Sequence, residues 1–133
     1  MILIDANVLL DVATRDPKWF AWSSSQLAPV VNARQAAINP IIYAELAPGY
    51  ASDRELDLHL VPPAIIKRLS LPYAAAFPAS RAFVAYRKAG GSRTAPLPDF
   101  FIGAHAEVEG HSILTRDPTR YRRHFPKVKL ICP

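Results

Sequence analysis

Short apolar runs alternate along the chain with longer stretches in which apolar residues recur every three or four positions. Ile2–Ile4 is the first such run, and Gln35–Asn39, Ser112–Thr115 and Val128–Cys132 contain three more. Short apolar runs without polar alternation are typical of strands that are buried on both faces of a sheet. The pattern therefore predicts four strands, while Ile65–Leu71 is ambiguous between strand and helix.

Helical spacing and turn residues predict helices between these strands. The predicted helices are Asn7–Val12, Pro17–Ala28, Pro40–Leu46, Asp53–Leu60, Tyr73–Lys88, Phe100–Val108 and a helical turn at Tyr121–Phe125. Pro29 is predicted to stop the second helix, and the Pro48-Gly49 pair the third. Asp16 and Ser52 are suitable N-caps for the helices that follow them.

The alternation of strands and helices predicts an α/β fold with a central, mainly parallel sheet and helices on both of its faces. The chain has 133 residues, with no internal repeat and no linker, so residues 1–133 are expected to form a single domain. The ligand site of such a fold lies outside the carboxyl ends of the strands. The acidic residues near those ends are therefore of interest.

The composition of the chain bears on its partners and on its location in the cell. Sixteen Lys and Arg residues against eleven Asp and Glu give a net charge of +5, which fits a nucleic-acid partner but also occurs in proteins that bind none. No apolar run approaches the ~20 residues that span a bilayer. The N-terminus lacks a secretory pattern, and the lone Cys132 cannot form an internal disulfide. We expect a cytoplasmic protein without a membrane segment.

Four acidic residues from distant stretches fall near predicted strand ends: Asp5, Glu45, Asp99 and Asp117. Asp5 and Asp117 follow the first and third strands, Glu45 lies in the helix after the second, and Asp99 opens the helix before the third. Each has an ordinary structural alternative, namely a helix cap worth about 0.5–2 kcal/mol, a turn before proline, or a solvated helix position. Caps alone would have no reason to gather at one edge of the sheet.

If the four acids do gather, they need a cation. Two carboxylates about 4 Å apart repel by roughly 4 kcal/mol at an effective dielectric constant near 20. Such a group either takes up protons or holds a metal, and oxygen ligands alone favour Mg²⁺ or Mn²⁺ over Zn²⁺. A cation of this kind can activate water and shield the charge of a phosphodiester. The pattern therefore indicates metal-assisted phosphoryl hydrolysis.

Basic residues surround these acids. Without the four acids, sixteen basic residues stand against seven acidic ones, a net charge of +9. Arg87 and Arg93 flank the glycine-rich loop before Asp99, and Arg116 precedes Asp117. These three arginines are candidate contacts to a polyanionic substrate, with a solvated surface charge as the ordinary alternative.

Four sequence motifs identify a family resemblance. LIDANVLLD at the start, YAEL around Glu45, PDFFIGAHA from Pro98 and ILTRD ending at Asp117 resemble, in order and spacing, the motifs of the PIN domain. More narrowly, they resemble the VapC toxins of bacterial toxin–antitoxin pairs. The resemblance implies a three-layer α/β/α sandwich and a ribonuclease that uses Mg²⁺ or Mn²⁺ to activate water, without a covalent intermediate.

The same resemblance implies roles for single residues and for partners. Asp5, Glu45, Asp99 and Asp117 match the metal-site acids. Asn7 matches a polar residue that orients Asp5, and Thr115 matches a hydroxyl position close to the site. The resemblance also implies an RNA substrate, a cognate antitoxin and a homodimer. His105 and Asp11 are interpreted as structural residues.

Three alternatives stay open. A phosphatase that uses Asp5 as a covalent nucleophile would require a second aspartate where Asn7 stands and a lysine near the last acid, and Arg116 is the nearest basic residue there. A PIN nuclease of RNA processing that is not a toxin would carry the same acids. A metal- or RNA-binding module without turnover would not need all four. The segment Leu60–Pro72 matches the family least, so the sequence leaves the identity of the RNA open.

Overall fold

A computed structural model describes all residues, 1–133, and is built around a five-stranded sheet in which every strand pair is parallel. The strands are β1 Ile2–Ile4, β2 Ala36–Ile38, β3 Lys67–Arg68, β4 Ser112–Leu114 and β5 Leu130–Ile131. Their order across the sheet is β3-β2-β1-β4-β5, with Leu3 opposite Ala37 on one side and Ile113 on the other. The predicted α/β fold with a mainly parallel sheet is confirmed.

Seven α-helices connect the strands. They are α1 Ala6–Thr14, α2 Phe20–Asn32, α3 Pro40–Leu46, α4 Asp53–His59, α5 Ala76–Lys88, α6 Pro98–Glu109 and α7 Thr119–His124. Short 3₁₀ turns at Ala47–Gly49 and Tyr73–Ala75 follow α3 and precede α5. None of these helices is both long enough and apolar enough to cross a membrane.

The central position of β1 explains its sequence. Leu3 and Ile4 are fully buried, and they belong to a core of 26 buried apolar residues that includes Ala37, Ile113 and Leu114 of the two neighbouring strands. A strand flanked on both sides and covered on both faces has no solvent-facing positions, so polar alternation is absent. The residue that follows β1, Asp5, is thereby held at the middle of the sheet's carboxyl edge.

The second helix differs from its prediction at both ends. It begins at Phe20 rather than Pro17, and the residues between form a separate turn in which the Asp16 carboxylate accepts hydrogen bonds from the Lys18 and Trp19 N–H groups. It also continues through Pro29 to Asn32. A proline inside a helix removes one backbone hydrogen bond and costs ~3 kcal/mol. Burial of Val30 in the core stabilises the continued turn, so the predicted stop at Pro29 is wrong.

The segment Ile65–Leu71, which the sequence left ambiguous, contains the edge strand β3. Both of its residues are exposed, as an edge position allows.

Candidate active site

Asp5 lies where the central strand β1 passes into α1, and only 4% of its surface is exposed. Its side chain does not cap α1, so the cap interpretation does not account for it. Its backbone N–H donates to the Leu114 carbonyl of the neighbouring strand at 2.9 Å, which fixes the main chain at this edge. The carboxylate is thus positioned by the sheet itself.

Three side chains donate to one oxygen of this carboxylate. Oδ2 of Asp5 accepts hydrogen bonds from Thr115 Oγ1 at 2.8 Å, from the Tyr121 hydroxyl at 3.1 Å and from Asn7 Nδ2 at 3.2 Å. Thr115 and Tyr121 are fully buried. Burial and the neighbouring acids raise the pKa of Tyr121 well above its usual value, so its hydroxyl keeps its proton. All three donors are neutral, so they orient Asp5 without balancing its charge.

Asn7 and Thr115 form a small network that joins α1 to the end of β4 and to the turn after it. Asn7 Nδ2 lies 3.2 Å from Thr115 Oγ1, and Asn7 Oδ1 accepts the Arg116 N–H at 3.3 Å. Thr115 Oγ1 also accepts the Asp117 N–H at 3.1 Å. The structure therefore places both predicted supporting residues against Asp5.

Glu45 and Asp99 are close enough to Asp5 for their charges to interact. Burial first, and the Asp99 charge second, raise the pKa of Asp5 to about 6. Glu45, on α3, is an exposed residue. The surrounding protein atoms and then the charges of Asp5 and Asp99 raise the pKa of Glu45 to about 7. Mutual repulsion of this kind marks a cluster of carboxylates that lacks enough positive charge.

Helix packing brings the three acids together. Asp99 stands in the first turn of α6, which packs against α3, and α3 in turn packs against α1. The three acids come from segments that are far apart in sequence, and the packing of α1, α3 and α6 brings them together near the carboxyl edge of the sheet. We refer to Asp5, Glu45 and Asp99 as the carboxylate cluster.

Asp117 is placed differently. It is exposed in the turn between β4 and α7, and its backbone, not its carboxylate, contacts Thr115. None of the charge effects described above involves it. It therefore lies beside the carboxylate cluster through its neighbour Thr115, and its role as a fourth metal ligand stays a prediction.

Two consecutive residues of α7 contact the carboxylate cluster and were not predicted from the sequence. Arg120 Nη1 forms an ion pair with Asp99 Oδ2 at 3.2 Å, and Tyr121 donates to Asp5. Arg120 is the only basic side chain paired with any acid of the cluster. The available signal was their position, three and four residues after Asp117, where a short helix returns towards the strand ends.

The three candidate RNA-contact arginines differ in their availability. Arg116 Nε pairs with the buried Asp11 at 2.8 Å, and its guanidinium lies over the Trp19 ring. Arg87 donates to the carbonyls of Gly91 and Arg93 and so holds the glycine-rich loop. The Arg93 side chain is exposed and makes no hydrogen bond or ion pair within the protein.

A second group of metal-ligand side chains lies at the other end of β4, where Glu109 Oε2 is 2.9 Å from His105 Nε2 and 3.1 Å from His111 Nε2. Here hydrogen bonding identifies the tautomer. Asn39 Oδ1 accepts the Ile42 N–H, so Asn39 Nδ2 faces His105 Nδ1, at 3.0 Å, as a donor. His105 Nδ1 is therefore unprotonated and Nε2 carries the proton that Glu109 accepts. His105, Glu109 and His111 therefore form a hydrogen-bonded structural cluster. His105 is a fully buried structural residue, as the sequence indicated.

Clustered carboxylates at the carboxyl edge of a parallel sheet lie where such folds bind their ligands. The PIN domain family matches this chain over residues 2–125, and the chain therefore belongs to the PIN domain family, which is a family of nucleases. A comparison with curated proteins finds no matching sequence.

Solved structures share the fold over nearly the whole chain. VapBC2 from Rickettsia felis, bound to a DNA fragment from its promoter, superposes with a TM-score of 0.72 at 18% identity, covering 100% of this chain and 99% of that one. FitAcB from Neisseria gonorrhoeae gives 0.70 at 18% identity, covering 98% and 96%. A toxin–antitoxin complex from Klebsiella pneumoniae gives 0.59 at 20% identity, covering 91% and 90%.

Proposed function

We propose that this protein is a divalent-metal-dependent endoribonuclease and the toxin of a toxin–antitoxin pair. The observation that carries the proposal is the carboxylate cluster, in which the charge of Asp99 raises the pKa of Asp5, and the charges of Asp5 and Asp99 raise the pKa of Glu45. Family membership supplies the nuclease class. The metal, the RNA substrate and the toxin role are the proposed part.

The donor set fits Mg²⁺ or Mn²⁺. The cluster offers carboxylate oxygens only, and its single basic partner, Arg120, leaves negative charge over. Hard divalent cations prefer such ligands. We assign Asp5, Glu45 and Asp99 as ligands, with Asp117 as the fourth acid from the adjacent turn. When bound, the cation lowers the pKa of a water molecule and screens the charge of the phosphodiester under attack.

The protein's own residues supply the positions of the ligands. Asp5 is held by three hydrogen bonds and by the sheet, so its carboxylate needs no reorganisation. Glu45 is the most exposed acid of the cluster. Burial and the charges of Asp5 and Asp99 raise its pKa in the metal-free protein, and a bound cation would offset this repulsion.

The three candidate arginines are proposed to hold the RNA backbone. Arg93 has a free, exposed guanidinium, so we place it first. Arg116 keeps about a third of its side chain exposed while it pairs with Asp11, and Arg87 shapes the loop that carries Arg93. The net charge of +5 favours the approach of a polyanion.

We also propose a cognate antitoxin and a homodimer as partners. The support is the fold shared with VapBC and FitAB assemblies and the exposed apolar side chains beside and on α5, where Tyr73 is 97% and Phe77 68% exposed. Apolar surface of this kind is typical of protein contacts.

A cleavage assay tests the proposed function. The purified protein is incubated with single-stranded and structured RNA in Mg²⁺, Mn²⁺ or EDTA, and an Asp99→Asn variant purified identically serves as the control for contaminating nucleases. We expect cleavage that requires the metal and is lost in Asp99→Asn. Equal cleavage by both proteins, or cleavage that persists in EDTA, would contradict the proposal.

A further inference from the structure

One oxygen of Asp5 is saturated while the other is free. Oδ2 accepts three hydrogen bonds, from Asn7, Thr115 and Tyr121, whereas no side chain donates to Oδ1; the only other N–H that acts on this carboxylate is the backbone N–H of the adjacent Ala6. A carboxylate oxygen offers about two lone-pair directions, so three donors leave Oδ2 no room for a further partner.

The free oxygen still reaches solvent. No buried side-chain oxygen or nitrogen in the protein lacks a hydrogen-bond partner. Because Oδ1 of Asp5 has no partner, it is not among the fully buried atoms, although the residue as a whole is only 4% exposed. The small opening that remains at Asp5 therefore includes Oδ1.

From this geometry we infer that Tyr121 is a positioning residue which, with Thr115 and Asn7, holds Oδ2 so that Asp5 presents Oδ1 alone to the divalent cation. The inference rests on the proposed function and specifies how Asp5 takes part in it. Asp5 is then a monodentate ligand whose orientation is set before the cation arrives. Residues that orient a ligand in this way typically change metal affinity 10- to 100-fold when they are removed.

Tyr121 is more than a filler of the core. A phenylalanine would occupy the same space on α7, but it would leave Oδ2 of Asp5 with two side-chain donors instead of three. The hydroxyl group is the only polar atom of this buried side chain, and it reaches Asp5 Oδ2 across 116 positions of sequence. Removing that single oxygen separates positioning from packing.

The test measures binding of Mn²⁺ to the wild-type protein and to Tyr121→Phe by isothermal titration or by the electron paramagnetic resonance of free Mn²⁺. Tyr43→Phe is the matched control, because it also removes a phenol that donates to an aspartate, Asp57, at 2.8 Å. We expect affinity to fall about tenfold in Tyr121→Phe and to stay unchanged in Tyr43→Phe. Circular dichroism verifies that both variants are folded.

A crystal structure of the wild-type protein with Mn²⁺ tests the geometry directly and does not depend on the folding of a variant. We expect Mn²⁺ on Oδ1 of Asp5, with Tyr121 still bonded to Oδ2. Coordination through Oδ2 or through both oxygens would overturn the inference, as would equal Mn²⁺ affinity in the wild type and Tyr121→Phe, while leaving the proposed function intact. Absence of Mn²⁺ binding by the wild type would overturn both.

Discussion

Two buried aspartates, Asp5 just before α1 and Asp11 within it, have opposite surroundings. Asp5 is 4% exposed and Asp11 is 2% exposed. Asp11 Oδ2 accepts a hydrogen bond from Ser23 at 2.7 Å and pairs with Arg116 at 2.8 Å. Asp5 has only neutral side-chain donors, and the one charge that shifts its pKa is that of another acid, Asp99.

This difference separates a structural acid from a functional one. Burying a charge is costly unless the protein supplies a partner. For Asp11 the partner is within the fold, so the ion pair joins α1 to the turn after β4. For Asp5 the fold supplies hydrogen bonds that orient the carboxylate but no positive charge. The negative charge of ionised Asp5 is therefore left to be balanced by a bound cation. The same logic distinguishes Glu109, whose pKa is lowered by hydrogen bonds from His105 and His111, from Glu45, whose pKa is raised.

The largest expected effect comes from Asp5→Asn. The substitution keeps the size of the side chain and one acceptor oxygen but removes the charge and the second oxygen. We therefore expect RNA cleavage to fall by about a thousandfold or more, since several kcal/mol of metal-based stabilisation are lost. The fold is expected to remain intact, because a repulsive charge disappears. The measurement is the cleavage rate in Mg²⁺ together with thermal unfolding; cleavage at the parental rate would refute the assignment of Asp5 as a metal ligand.

Asp11→Asn is expected to have the reverse profile. Removing one partner of a buried pair typically costs about 3 kcal/mol, which urea unfolding would detect, while the folded fraction should cut RNA within a few-fold of the parental rate. Ser23→Ala, which removes only the neutral partner, should cost less. If Asp11→Asn abolished cleavage without any loss of stability, the distinction between the two aspartates would fail.

The position of Asp5 could be predicted from the sequence because a buried apolar strand that is followed directly by an acid places that acid at the carboxyl end of the strand, where parallel α/β folds bind their ligands. The parallel sheet followed from the alternation of elements, and the positions of Glu45 and Asp99 followed from motifs on the helices after β2 and before β4. These features are local, since each depends on residues within one or two turns of each other.

Other features depend on contacts between distant segments, and the sequence did not reveal them. Tyr121 contacts Asp5 from 116 positions away, and His105 is oriented by Asn39 from 66 positions away. The continuation of α2 through Pro29 follows from the burial of Val30, a tertiary effect that outweighs the local rule for proline. The hydrophobic periodicity of the sequence also does not reveal that Asp11 forms an ion pair with Arg116 whereas Asp5 has no basic partner.

The pH dependence of stability offers an intermediate effect. The folded-state pKa of Asp5, about 6, lies above its ordinary value of 3.8, and that of Glu45, about 7, lies above 4.5. For each group, at pH values between its ordinary pKa and its folded-state pKa, the folded protein binds more protons than the unfolded chain. The free energy of unfolding therefore falls as the pH rises through this range. For Asp5 the loss is complete above about pH 6 and amounts to about 3 kcal/mol; for Glu45 it continues to about pH 7.

Thermal unfolding between pH 4 and 8 without metal, for the wild type and for Asp5→Asn, isolates the contribution of Asp5. We expect the wild type to lose stability relative to the variant as the pH rises to about 6, and Mg²⁺ to restore it at pH 8 but not at pH 4.5, where Asp5 and Glu45 are protonated. Parallel curves for the two proteins would show that Asp5 carries no unbalanced charge.

The smallest expected effect concerns Arg120, the one cation that reaches the carboxylate cluster. Its ion pair with Asp99 is partly exposed, and pairs of this kind contribute about 0.2–1 kcal/mol. Arg120→Gln should therefore strengthen Mn²⁺ binding about two- to fivefold, because Asp99 no longer has a competing partner within the protein. Arg123→Gln is the matched control, since it removes the same charge from the same helix without touching the cluster. Equal changes in Mn²⁺ affinity in the two variants would mean that only the overall charge of α7 matters. A larger change in Arg120→Gln would show that Arg120 partly neutralises the charge of Asp99. Asp99 would then be intermediate between Asp11, which is paired with Arg116, and Asp5, which has no positive partner.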